Sequence, residues 1–209
     1  MGRYDFLFET YRTERLKTLG VWSQVPDERM DWRPEPRART PHEHMVHQCV
    51  SEDGWMRTML DIVVTLPTLP QTEDRRAFLE HYAAVSAERL AVLESRPESW
   101  YEGEVRFFDV PRSRAWVLTR RITHTSHHRG QLTAYIRMWG QALYSTYGPT
   151  ADTGGLPASG SVVIYRASSV EQLLAIEAEG AIPATLPGPG AKAPTERPDG
   201  PAAPTSQRP

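Results

Sequence analysis

The sequence predicts an all-α fold: an antiparallel four-helix bundle with a C-terminal extension and a disordered proline-rich tail. Three observations carry this prediction. Four stretches repeat apolar residues at three- and four-residue steps, each about 20–28 residues long. No alternating strand pattern separates them. The prolines of the first 160 residues fall between these stretches or at their starts, where a missing N–H costs little.

The first helix is expected over residues 4–24, with Phe8, Tyr11, Leu19 and Trp22 on its apolar face. A connector follows, broken by Pro26, Pro34 and Pro36. Thr40, Pro41 and Glu43 form a capping box with proline at the first helical position, so the second helix starts there. Its stripe, Val46, Cys49, Met56, Leu60 and Val63, predicts a run to about Val64, stopped by Pro67 and Pro70. Thr72 or Glu73 opens a third helix that runs to about Ser95. Residues 100–113 read as a loop with a short extended piece at Val105–Val110. The fourth helix runs from near Ser113 to Gly140. Beyond it lies a polar, turn-rich segment. Residues 161–165 are expected as a short strand, and Ser168 or Ser169 caps a small helix over Val170–Glu179 that Gly180 ends. Eight of the 18 prolines crowd into residues 183–209, a density that no buried helix or central strand survives. The expected organisation is therefore a bundle domain with its extension over residues 1–182 and a tail over 183–209.

Composition narrows the function. A formal net charge of −2 gives no sign of the basic face a duplex binder needs, so nucleic acid is not expected as a partner. The single cysteine, Cys49, excludes an internal disulfide framework and a multi-cysteine zinc site. The start is charged at once and no apolar run reaches membrane-spanning length, which predicts a cytoplasmic protein without membrane attachment.

The seven histidines are not scattered. His42, His44 and His47 open the second helix, and His124, His127 and His128 lie in the middle of the fourth. Residues four apart on a helix differ in direction by about 40°, so His124 and His128 project to one point. His127 is about 100° from His128 and does not join it. A metal site needs a further ligand from a facing helix, and His47 is the deepest histidine of the second helix. His42 and His44, in its first turn, are expected to meet solvent, His81 to lie on the surface, and Cys49 to pack in the core. Asp53, on the apolar stripe, is a candidate to orient a histidine ring. Gln131, one turn beyond His128, is a candidate to bond a ligand or a bound water. Tyr144 and Tyr147 are candidates for the cavity mouth or for aromatic packing.

The segment HTSHHRGQL is similar to the H-x-x-x-H-R-G-Q signature of the DinB/YfiT superfamily of metal-binding four-helix bundles. HMVHQCVSEDGW resembles the helix-two histidine segment of that family, and YGPTADTGGLP resembles a segment found after its fourth helix. The resemblance covers about residues 4–157. It implies His47, His124 and His128 as ligands of a divalent ion, the three that spacing also selects. Neutral imidazoles suit zinc, nickel or iron(II) without choosing among them. The resemblance further implies a thiol-dependent S-transferase that uses a low-molecular-weight thiol as cosubstrate and acts on a small electrophile, assembled as a homodimer. Two alternatives stand beside it: a metal-dependent hydrolase, and a noncatalytic metal-binding protein of the stress response. No Glu or Asp accompanies the histidine pair in THTSHHRG, so a general base for hydrolysis is not evident.

Overall fold

The computed structural model describes residues 2–155 and 160–189. Of the tail expected over residues 183–209, residues 190–209 lie outside the described residues, while Ala184 and Gly188 are hydrogen-bonded to Tyr144 and Asp152. The chain divides into two compact units, Met1–Tyr135 and Ile136–Pro209.

In the first unit, α1 spans Asp5–Trp22, α2 Pro41–Leu60, α3 Arg75–Ser95, α4 Glu98–Glu102 and α5 Arg114–Met138, the last running on into the second unit. The four long helices are those the periodicity predicts. Thr40 accepts from the backbone N–H of Glu43 while the Glu43 carboxylate accepts from the N–H of Thr40, so the capping box is complete. Asp74 caps α3 through the N–H of Ala77. α2 ends at Leu60 rather than near Val64. Asp61 turns left-handed at φ 51° and the N–H of Ile62 bonds back to Met56, which leaves Val63 exposed. Thus the last apolar residue of the expected stripe belongs to the loop.

The expected loop over residues 100–113 holds more structure than its composition suggests. α4 fills its start. The strands β1 (Glu104–Phe107) and β2 (Val110–Ser113) then form a hairpin in which Glu104 faces Ser113 and Phe107 faces Val110. It is the one sheet among the described residues. Phe108, at φ 52°, occupies its tight turn.

The core beneath these elements joins Leu7 and Tyr11 of α1, Met56 and Leu60 of α2, Leu90 and Leu93 of α3, and Val117, Leu118 and Ile122 of α5. Burial of side chains of this size stabilises by about 1.5–3 kcal/mol each. A second set of aromatics, Trp22, Phe78 and Tyr82, interlocks α1 with α3.

In the second unit, the turn-rich segment is pinned by Asp152, which accepts from the N–H of Leu143, and by an isolated bridge between Thr153 and Gly188. Residues 161–165 do not form the expected strand. Ile164 exchanges hydrogen bonds with Ser145 alone, so no ladder develops. The small helix α6 spans Val170–Glu179, with Ser169 capping Gln172 and Gly180 closing it at φ 65°. Tyr144 packs under Arg166 and bonds Ala184. No helix among the described residues is long and apolar enough to cross a membrane.

Candidate metal centre

α2 and α5 place His47, His124 and His128 together, with one ligand atom from each lying within 4.8 Å of the others. Nε2 of His124 and Nε2 of His128 are 3.2 Å apart. A tetrahedral ion with Zn–N bonds of about 2.0–2.1 Å needs ligand atoms about 3.3 Å apart, so the α5 pair already has that spacing. The ring of His47 stands 4.6 Å from His128 and 5.4 Å from His124, centroid to centroid. Nε2 of His47 is buried without a hydrogen-bond partner, a state that an ion relieves. The donor set therefore fits a divalent metal.

Gln131 fixes one tautomer. Its Oε1 lies 3.0 Å from Nδ1 of His128. A carbonyl oxygen only accepts, so Nδ1 carries the proton and Nε2 keeps its lone pair toward the centre. Expected from the sequence as a group that binds a ligand or a bound water, Gln131 is seen here against a histidine ring. Burial keeps the rings neutral, and positive neighbours add to it. His47 is pushed down to about 4 by burial and then by Arg39. His124 falls to about 3 by burial and then by Arg121. His128 is lowered by burial despite its bond to Gln131. Neutral imidazoles are the ligating form.

The residue after each of these histidines ties its helix to a neighbour. Gln48 donates to Thr125 Oγ1 across 2.9 Å, joining α2 to α5 directly beside His47 and His124. Arg129 reaches the carboxylate of Glu14 and, at 3.1 Å, the hydroxyl of Thr18, joining α5 to α1 beside His128. Consecutive helical residues diverge by about 100°, so one faces the centre while the next faces the adjacent helix. A further layer holds Glu52, which accepts from Tyr11 at 2.5 Å and Tyr82 at 2.9 Å. Arg89 and Arg121 balance Glu52 and Asp53 there, all four being buried. The rings are thus aimed by a rigid scaffold rather than by loops.

Three expectations change. His44 is 2% exposed rather than facing solvent. Its ring lies 5.5 Å from His128 and 5.8 Å from Tyr135, under the connector that precedes α2. Its spacing of three from His47 puts it on the same helical face, a signal that its first-turn position obscured. Asp53 does not orient a histidine: it bonds Thr68 at 2.8 Å and pairs with Arg57 and Arg89. His81 is half-buried, its Nε2 3.3 Å from the carbonyl of Thr68. His42 pairs with Glu73 at 2.7 Å, away from the centre. Cys49 is buried, and burial pushes its thiol up to about 12, consistent with packing.

Two flanks of the centre differ in chemistry. On the His124 side, Trp55 stacks on the ring at 5.8 Å, and the hairpin aromatics Phe107 and Phe108 pack on Trp55. On the His128 side opens a cleft of about 380 Å³ that Gln131, His44 and Tyr135 line together with three arginines.

The model of the DinB family matches residues 1–154. Among solved structures, a DinB-like protein from Bacillus cereus aligns with a TM-score of 0.61 at 19% identity, over 68% of this chain and 95% of its own. A DinB-like protein from Bacillus subtilis aligns with a TM-score of 0.53 at 16% identity, over 66% of this chain and 95% of its own. At these identities the likeness speaks for the fold. No curated protein matches the sequence.

Proposed function

The chain belongs to the DinB family, and from that premise we propose that His47, His124 and His128 hold a divalent ion serving thiol S-transfer to small electrophiles. The observation that carries the reading is the convergence of three neutral imidazoles from two rigidly tied helices. A bound divalent ion supplies positive charge that favours the thiolate form of a cosubstrate thiol.

The chain's own residues support thiol transfer over hydrolysis. Hydrolysis usually draws on a base to take a proton from the metal-activated water, and no carboxylate touches the trio among the described residues. Glu52 is sealed between Tyr11, Tyr82 and Gln48. A low-molecular-weight thiol is acidic enough to lose its proton to solvent beside a cation. In the proposed step the sulfur forms a bond to the electrophilic carbon. The carbon–chlorine bond of a chlorinated acceptor breaks, chloride leaves with the electron pair, and the thiol proton goes to solvent. Trp55, Phe107 and Phe108 offer an apolar wall for the acceptor. A homodimer belongs to the same proposal.

The lack of an acidic partner also favours a second reading, a noncatalytic metal-binding protein of the stress response. One assay separates the two. Metal-loaded protein is incubated with bacillithiol, mycothiol or glutathione and a reactive chlorinated acceptor. Conjugate formation that stops when the metal is removed supports the transferase. No conjugate with any of the three thiols leaves the noncatalytic reading.

A further inference from the structure

The cleft on the His128 side has a lining that the metal does not explain. Arg33, Arg37 and Arg39 come from the connector before α2, His44 from α2, and Gln131 and Tyr135 from α5. One carboxylate, Glu43, also lines it, and is consumed by Arg33 at 2.6 Å and by the N–H of Thr40 at 2.9 Å. Arg37 pairs with Glu35. The guanidinium of Arg39 has no hydrogen bond or ion pair among the described residues, although the chain as a whole is slightly acidic. His44 adds an independent sign. It is 98% buried, lines the same cleft, and neither ring nitrogen has a hydrogen-bond partner. A buried imidazole is seldom left so. An uncommitted arginine and an unsatisfied histidine together suit an acceptor-rich anion, and a planar carboxylate matches the arginine fork.

We infer that this cleft binds a carboxylate of the thiol cosubstrate, so that the preferred thiol is an acidic one rather than a neutral sugar thiol. The anion site stands on the cleft alone, whereas its assignment to the thiol rests on the transferase reading. The two flanks of the centre support that assignment. The apolar wall of Trp55, Phe107 and Phe108 suits an uncharged acceptor, and the arginine cleft beside His128 suits the charged component.

The test uses the full-length, metal-free protein, so that it does not depend on activity. Succinate and its uncharged analogue succinamide are titrated by calorimetry. Succinate is expected to bind and succinamide not to. Arg39→Ala is expected to weaken succinate by about tenfold or more, in line with the loss of a charge-assisted hydrogen bond, with Arg39→Lys intermediate. Arg106→Ala, an exposed arginine of the hairpin, controls for general charge and is expected to bind as the wild type does. Glutathione is expected to lose affinity in Arg39→Ala in parallel with succinate. Equal binding of succinate and succinamide, or unchanged succinate binding in Arg39→Ala, overturns the anion site. Unchanged glutathione binding in Arg39→Ala overturns its assignment to the thiol. A His124→Ala chain keeps succinate binding even if it has lost its metal, so failure of the metal reading and failure of this one are told apart.

Discussion

Removing the Gln131 side chain is expected to weaken metal binding without touching a ligand. Its Oε1 holds the Nδ1 proton of His128 at 3.0 Å, and that bond decides which ring nitrogen faces the centre. In Gln131→Ala, His128 is free to take either tautomer and to rotate. The direct loss is one neutral hydrogen bond, about 1 kcal/mol net. The loss of orientation adds to it, and partners of metal-ligating histidines characteristically contribute 10–100-fold in affinity. That range corresponds to about 1.4–2.7 kcal/mol. Gln131→Glu retains an acceptor at the same place and is expected to bind metal as tightly as the wild type or more tightly. Competition titration of zinc against a chromophoric chelator measures all three proteins. The reasoning is refuted if Gln131→Ala binds zinc within twofold of the wild type.

Other expectations follow from the same geometry. Arg129→Met removes the arginine paired with the buried carboxylate of Glu14, which also contacts Lys17 and the hydroxyl of Ser126, and is expected to destabilise the fold by about 3 kcal/mol, near the low end for a broken buried pair. Urea unfolding checks this, and a change below about 1 kcal/mol speaks against the α1–α5 tie. His44, His47, His124 and His128 all have folded-state pKa values below the unfolded value of about 6.5. Below that pH the unfolded chain takes up protons that the folded chain refuses. Stability of the metal-free protein is therefore fully present above pH 6.5 and declines as pH falls toward 4. A flat urea midpoint between pH 7.5 and 5 contradicts this. Trp55 stacks on His124, so nickel binding is expected to quench tryptophan emission in the wild type and far less in Trp55→Phe. Equal quenching in both places the ion elsewhere.

Much of the fold was legible because its signals are local. The capping box at Thr40 and Glu43, the left-handed Gly180, and the apolar periodicity of the four long helices each act within one or two turns. The trio was legible for a similar reason. Four-residue spacing aligns His124 with His128, and a depth argument selects His47. What escaped depends on contacts between distant segments. His44 is covered by Tyr135 from α5, a long-range contact that its three-residue spacing from His47 does not by itself specify. The hairpin at Glu104–Ser113 is only four residues per strand and is held by packing of Phe107 on Trp55 and Trp116 rather than by a strong alternating pattern. Asp53 sits on an apolar stripe because Arg89 of α3 neutralises it across the core. Residues 161–165, with Val162, Val163 and Tyr165 exposed, had the β-branched composition of a strand but found no partner ladder.

The central claim is that three histidines from two helices form one metal site. Elemental analysis of the purified wild type beside His128→Ala tests it most directly, with folding of the variant checked by circular dichroism. About one divalent ion per chain in the wild type, and a substoichiometric trace in the folded variant, is the predicted result. Equal metal content in the two proteins contradicts it.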